Sequence, residues 1–205
     1  MVKELIKRYH FIIPLGLSFY ILDFFIRYAN LNINFASIIS LAPSFFTLAW
    51  VTLFVAIILF FGLKYRKTFY ITLIIFFSIM MLVNYVYFKI FNTFFSFKSI
   101  ALAGEGMNYS SAVLSYMKLP IITTFISCIV LVILSCKFFP KTIAKSDKFI
   151  GLLFLIISLF SYGAGRHSLG QPADKLAWNA WDYKRNIYGE YSETRKSIQV
   201  SGLYE

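Results

Sequence analysis

The chain has 205 residues, 59% of them hydrophobic, and its 20 lysine and arginine residues against 9 aspartate and glutamate residues give a net charge of +11. This hydrophobic content exceeds that of ordinary soluble domains and predicts a membrane protein. Because the basic residues flank apolar stretches and do not form one solvated stripe, the sequence argues against a nucleic-acid partner.

Apolar stretches long enough to cross the hydrocarbon core, roughly 17–25 residues each, recur along the chain. They predict an all-α polytopic membrane protein with about five transmembrane helices. The predicted spans lie near residues 11–28, 44–63, 68–87, 119–139 and 149–163, and the last of them is short for a bilayer. Together they make residues 1–164 a transmembrane helical domain.

The basic residues predict the orientation of these spans, because cytoplasmic loops are enriched in lysine and arginine. The residues of one side cluster at the N-terminus and in two turns: Lys3, Lys7, Arg8, Lys64, Arg66, Lys67, Lys137, Lys141, Lys145 and Lys148. The other side, before residue 165, has fewer: Arg27, Lys89, Lys98 and Lys118. We therefore expect a multi-pass protein of the cell membrane with its N-terminus inside and its C-terminal tail extracellular.

Two segments outside the spans have a distinct composition. Residues 88–118 are rich in phenylalanine, and Lys89 and Lys98 interrupt their apolar run. This pattern predicts an extracellular amphipathic loop with a helix in the membrane interface; the alternative is a longer third span followed by an ordinary loop. Residues 165–205 have nearly balanced charges and many tyrosines. They are too few for a core of their own, so we expect a helical extracellular juxtamembrane linker that lies on the membrane, docks on the loop or leads into a further segment.

The sequence contains no catalytic motif. It has no glycine-rich phosphate loop, no zinc-protease helix, no paired CxxC motif and no serine nucleophile elbow. His10 and His167 lie at opposite ends of the chain, so neither a metal site nor a cofactor is expected in it. Cys128 and Cys136 lie eight residues apart, about 12 Å along one helical face, which is beyond the reach of a disulfide.

A few polar residues in or beside the spans are candidates for contact with lipids or their headgroups. They are Asp23, Arg27, Lys98, Lys118, Arg166 and His167. Asp23 and Arg27 share one helical face, and the alternative to a headgroup contact is a structural ion pair. Arg166 and His167 follow the fifth span and either hold a lipid phosphate or simply end the helix.

Three features of the chain resemble the N-terminal membrane part of the lipoteichoic acid synthase family. They are the span pattern, residues 83–118 with their tyrosines and paired phenylalanines, and residues 165–205. Within the last of these, the stretches GRHSLG and SGLYE are more specific than the span pattern. The resemblance implies five spans, an N-terminus inside, and a helical linker that leads to an extracellular catalytic domain of the sulfatase and alkaline phosphatase superfamily.

The resemblance also implies an activity, the transfer of glycerol phosphate from phosphatidylglycerol through a covalent threonine intermediate with manganese. The family's threonine and metal ligands belong to the catalytic domain, and no residue of this sequence matches them. We therefore expect a membrane anchor that presents lipid substrate and is not catalytic by itself. Its expected partners are membrane lipids, with phosphatidylglycerol as the candidate, and an extracellular catalytic domain or protein.

The sequence leaves two other functions open as alternatives. The first is a stand-alone membrane interaction protein, of the inhibitor or immunity type, that uses the same module. The second is a small transporter or channel subunit. The sequence disfavours the second, because Asp23 is the only acid well inside a span and no inverted repeat is present.

Overall fold

The computed structural model describes residues 8–31, 41–95, 114–140, 142, 144–171, 183–189 and 194–203. Its long helices are α1 (Ile12–Leu31), α2 (Leu41–Phe60), α3 (Leu63–Phe91), α4 (Leu119–Ser135) and α5 (Lys145–Ser168). A 3₁₀ turn, Cys136–Phe138, follows α4, and two short helices, α6 (Lys184–Gly189) and α7 (Thr194–Ser201), lie in the tail. No described residue forms a strand, which confirms the predicted all-α polytopic class.

The helices differ in length from the predicted spans. Helices α1, α2, α3 and α5 are long and apolar enough to cross a membrane, whereas α4 is shorter, with 17 residues. Helix α5 has 24 residues and extends beyond both ends of the predicted fifth span. The predicted span starts after the charged residues Asp147 and Lys148. In the structure both residues lie in the first turns of α5, and the Asp147 side chain is buried.

Helix α3 continues into the segment that was predicted to be interfacial. It has 29 residues, and the residue that caps its C-terminal end, Asn92, adopts a left-handed conformation with φ of 54°. The described residues therefore favour a longer third helix for positions 88–91. The predicted interfacial helix beyond them falls largely on residues 96–113, which lie outside the described part of the chain.

Helix α1 lies at the centre of the bundle and packs against α2, α3 and α4. From Phe11, immediately before the helix, fully buried apolar side chains recur every three or four residues, as expected for one face of a helix: Leu15, Phe19, Leu22 and Ile26. The Phe19 ring lies 5.6 Å from the ring of Phe54 in α2 and 5.0 Å from that of Phe77 in α3. This aromatic cluster joins the three helices near the middle of the bundle.

Helix α5 packs along α2 through small residues. Gly151 lies against Leu59 and Phe60, and a Cβ atom added at Gly165 would lie only 3.1 Å from the Phe46 ring. Between them, the Ser158 hydroxyl donates a 2.7 Å hydrogen bond to the Ala49 carbonyl. Small residues allow helix backbones to approach closely, which is how transmembrane helices gain packing energy without a hydrophobic driving force.

One end of the bundle is organised around the buried carboxylate of Asp147, and we call it the Asp147 end. The carboxylate accepts hydrogen bonds from Arg8 (Nε at 2.9 Å and Nη2 at 3.0 Å), from Arg66 Nη1 at 2.7 Å and from the Tyr9 hydroxyl at 2.8 Å. The backbone N–H of Ala144 donates to it as well. The hydrogen bond from Arg8 to Asp147 raises the pKa of the Arg8 guanidinium.

The same end ties together all five long helices. Arg66 donates through Nε to the Phe61 carbonyl at 2.7 Å and through Nη2 to the Leu59 carbonyl at 2.6 Å, which satisfies carbonyls at the end of α2. The Tyr70 hydroxyl of α3 donates to the Phe11 carbonyl at 2.8 Å, beside the start of α1, and lies 2.7 Å from the Ser135 hydroxyl of α4. Each helix therefore has a polar link to this end.

Replacing Asp147 with alanine should strongly destabilise the bundle. Arg66 is only 2% exposed, so it would be left as a buried unpaired charge, at a cost of about 3–5 kcal/mol in the free energy of unfolding. Reversible unfolding of the purified protein in mixed micelles measures this cost. Lys148→Ala, at the adjacent exposed position, is the matched control and should change stability by less than about 0.5 kcal/mol. Equal stability of the two variants would contradict a central role for Asp147.

Candidate functional site

Asp23 and Arg27 form a buried ion pair in the second half of α1. Arg27 Nη2 lies 2.7 Å and Nε 2.8 Å from Asp23 Oδ2. The residues are only 2% and 3% exposed. A pair four residues apart on one helix is geometrically favoured, but its burial is costly unless the remaining polar atoms find partners. We call the end of the bundle that contains this pair the Asp23 end.

The second oxygen of Asp23 binds the C-terminal tail. Asp23 Oδ1 accepts a 3.0 Å hydrogen bond from the backbone N–H of Leu203. The preceding residue, Gly202, ends α7 in the left-handed region at φ of 89°, and its N–H donates to the Ile198 carbonyl at 2.9 Å. A Cβ atom added at Gly202 would lie 3.0 Å from Pro43 Cβ and 3.3 Å from Asp23 Oδ1. Glycine is therefore required both by the backbone conformation and by the close approach to α1 and α2.

Aromatic side chains hold the rest of the tail on the same end. The Phe46 ring of α2 is stacked on Tyr188 of α6, with centroids 5.8 Å apart, and makes an edge contact with Tyr162 of α5 at 5.6 Å. The hydroxyls of Tyr162 and Tyr188 lie 3.2 Å apart. The guanidinium of Arg195 in α7 lies 5.7 Å from the ring of Phe88 in α3. The described part of the tail therefore docks on the helix bundle.

Three further candidate residues, Arg166, His167 and Lys118, lie around this end without contacting the ion pair. Arg166 and His167 are exposed in the last turn of α5, and the Arg166 carbonyl accepts a 3.0 Å hydrogen bond from Arg185 Nη1 of the tail. Lys118 is exposed immediately before α4. Lys98 lies outside the described residues. Within the described ranges, no hydrogen bond or ion pair connects Arg166, His167 or Lys118 to Asp23 or Arg27.

A groove runs beside the ion pair where α1 is flanked by α2 and α4, and we call it the α1–α4 groove. Its larger part is a cavity of about 540 Å³ lined by Tyr20, Ile21, Phe24, Phe25, Arg27, Ser44 and Thr124. A second cavity of about 270 Å³ continues along α4 and is lined by Ile21, Thr123, Thr124, Ser127, Cys128 and Leu131. The two cavities share Ile21 and Thr124. The groove is thus mainly apolar, with a buried guanidinium at one end.

The described residues do not fit the manganese that the sequence resemblance implies for a catalytic domain. Across the described ranges, no three histidine, cysteine, aspartate or glutamate side chains lie together so that they could hold a metal ion. The two buried carboxylates are instead occupied by arginines and by backbone or tyrosine donors. Among the described residues of the Asp23 end, the Asp23 carboxylate makes an ion pair with Arg27 and a hydrogen bond with Leu203.

Replacing Gly202 with alanine should release the tail from the Asp23 end. The left-handed conformation alone disfavours alanine by roughly 1–2 kcal/mol, and the added methyl group would press on Pro43. Trypsin reports the release, because Arg195 and Lys196 are exposed and become cleavable once α7 unfolds locally. Gly189→Ala in α6 is the control, since a Cβ atom there meets nothing within 4 Å. Equal cleavage of the two variants would show that Gly202 does not hold the tail.

The comparisons with known proteins agree with this architecture. The sequence model of a protein family, the lipoteichoic acid synthase N-terminal domain, matches residues 1–177, which include α1 to α5. No curated protein and no solved structure matches the chain. The match confirms the family that the span pattern resembled, and with the apolar helices it shows a multi-pass membrane protein; residues 178–205, which include SGLYE, lie outside the match. The chain belongs to the lipoteichoic acid synthase N-terminal domain family.

Proposed function

We propose that the chain anchors a lipoteichoic acid synthase-like glycerol phosphate transferase in the membrane and presents its lipid substrate at the Asp23 end. The observation that carries this proposal is the hydrogen bond from the Leu203 N–H to the buried Asp23 carboxylate. Through this bond the linker is fixed to the bundle and does not trail freely from α5. A catalytic domain that continues from such a linker would keep a set height and direction above the membrane.

The linker is held by several contacts that support one another. A hydrogen bond to a charged group contributes roughly 1.5–3 kcal/mol, and the stacking of Phe46 on Tyr188 adds to it. A docked linker restricts the volume that an attached domain explores, which raises the effective concentration of its active site near the headgroups. This is the physical advantage of docking for an enzyme that takes its substrate from a bilayer.

The charge distribution supports an extracellular position for the Asp23 end. Arg8, Arg66, Lys137 and Lys148 lie at or near the Asp147 end, and clusters of basic residues mark the cytoplasmic side. The linker then emerges on the outer face, where the family resemblance expects the catalytic domain. Arg166 and Lys118 are exposed, so they can attract the phosphate of phosphatidylglycerol.

Replacing Arg166 with alanine should weaken the enrichment of phosphatidylglycerol around the reconstituted protein. A surface cation contributes about 1 kcal/mol to the attraction of anionic lipid, or roughly a fivefold change. Mass spectrometry of the lipids that remain with the protein, from vesicles of mixed phosphatidylglycerol and phosphatidylcholine, gives the ratio. Arg166→Lys keeps the charge and should keep the enrichment. An unchanged ratio in Arg166→Ala, with helicity intact, would remove Arg166 from the proposal.

Release of the tail should lower transfer from membrane lipid by a complete lipoteichoic acid synthase-like protein that carries this domain. In the Gly202→Ala variant we expect slower glycerol phosphate transfer from phosphatidylglycerol vesicles, because the active site is no longer held at the bilayer. Hydrolysis of a water-soluble glycerol phosphate ester should be unchanged, since the catalytic domain is intact. Gly189→Ala serves as the control for both reactions. Full transfer activity with a tail shown to be released would contradict the anchoring function.

A further inference from the structure

We propose that the α1–α4 groove binds one membrane glycerophospholipid, with an acyl chain along α4 and a phosphate oxygen accepting a hydrogen bond from Arg27 Nη1. This inference rests on the proposed function, because it identifies where a lipid is held beside the docked linker. It assigns a role to the end of the guanidinium that the ion pair does not use.

The unused donor of Arg27 is the first observation that points to a ligand. Both Nε and Nη2 of Arg27 bind the same oxygen of Asp23. Nη1 is buried and has no hydrogen-bond partner among the described residues. A buried N–H of a charged group is costly when it is left unsatisfied. Arg27 also lines the larger cavity, so its side chain borders the groove.

A second polar side chain lies one helical turn further along α1. Asn30 is 4% exposed, and neither its Oδ1 nor its Nδ2 has a partner in the described part of the chain. Residues three apart share a helical face, so Asn30 and Arg27 offer donors on the same side of α1. Arg27 lies four residues before the end of the helix, about 6 Å from it. That depth suits a phosphate at the membrane interface, and arginine pairs strongly with phosphate.

The rest of the groove has the chemistry of a site for a hydrocarbon chain. Ile21, Phe24 and Phe25 line one wall, and α4 contributes residues from Thr124 to Leu131. From Thr124 to Leu131, seven steps along the helix, the distance is about 10 Å. The Tyr20 hydroxyl at the rim already donates to the Ser44 carbonyl at 2.8 Å, so it does not require a ligand. A molecule with acceptor oxygens at one end and hydrocarbon at the other matches this arrangement, and a glycerophospholipid is such a molecule.

Native mass spectrometry of the full chain, extracted from phosphatidylglycerol nanodiscs into mild detergent, tests this site. We expect one retained phospholipid per chain. In Thr124→Trp the indole fills the groove while the Asp23–Arg27 pair stays intact, and occupancy should fall at least about tenfold, the equivalent of about 1.4 kcal/mol. Ile126→Trp is the matched control, because this α4 residue is 53% exposed and does not line either cavity. It should retain lipid as the unmodified chain does.

Three results would overturn the proposal. The first is equal lipid retention in Thr124→Trp and Ile126→Trp. The second is equal retention of diacylglycerol and phosphatidylglycerol from nanodiscs that contain both, which would remove the phosphate contact. The third is a lipid-free dimer in the mass spectrum. Ser127→Phe, further along the same groove, replaces Thr124→Trp if that variant loses its helicity. Trypsin cleavage after Arg195 is followed in every variant. A chain that loses lipid selectivity but keeps its docked tail contradicts only the groove, whereas a tail that is cleaved freely in the unmodified chain contradicts the proposed function.

Discussion

The buried carboxylate of Asp147 is the interaction on which the arrangement of the five long helices depends. A charge at 0% exposure is tolerated only when its oxygens are fully paired, and here two arginines, a tyrosine and a backbone N–H supply the donors. These donors come from the segment before α1, from α3 and from the start of α5. Dispersion contacts between apolar helices in a bilayer do not by themselves select a single arrangement. The hydrogen bonds to Asp147 therefore determine the register in which the helices pack.

The opposite end of the bundle also contains a buried, paired aspartate, but this one holds the C-terminal tail. Asp23 is paired with Arg27 in its own helix and uses its remaining oxygen to bind Leu203. Asp147 thus holds the segment that enters the bundle, through Arg8 and Tyr9, and Asp23 holds the segment that leaves it. In both cases a buried acid makes the loss of the contact costly. The described tail is therefore held on the bundle, as the proposed anchoring function requires.

The sequence predicted the class, the order of the helices and the family, because these depend on the length of apolar runs and on local motifs. It did not predict the polar centres. Arg8 and Asp147 are separated by 139 residues, Arg66 and Asp147 by 81, and Leu203 and Asp23 by 180. No local pattern indicates such partners. The predicted fifth span began at residue 149 and left out Asp147 for the same reason: a charged residue beside an apolar run resembles the flank of a span until its partners are known.

The docking of the predicted linker on Asp23 could have been suspected from two signals in the sequence. An acid within the first span needs more than one partner, and a glycine after a helical stretch, in SGLYE, indicates a left-handed helix end. Neither signal predicts that Asp23 and the residue after this glycine are in contact. The groove is a property of the tertiary packing of α1 between α2 and α4, and its unused Arg27 donor follows from how the Asp23 oxygens are shared. Such features require three-dimensional structure.

Hydrogen exchange at the Leu203 amide, measured in lipid nanodiscs, tests the central claim most directly. If the linker is docked on Asp23, this amide and those of α7 exchange slowly, with protection comparable to the ends of the membrane helices. Exchange at the rate of an unstructured peptide would show that the tail is not held by the bundle. The account of this domain as an anchor that holds its linker on the helix bundle would then be wrong.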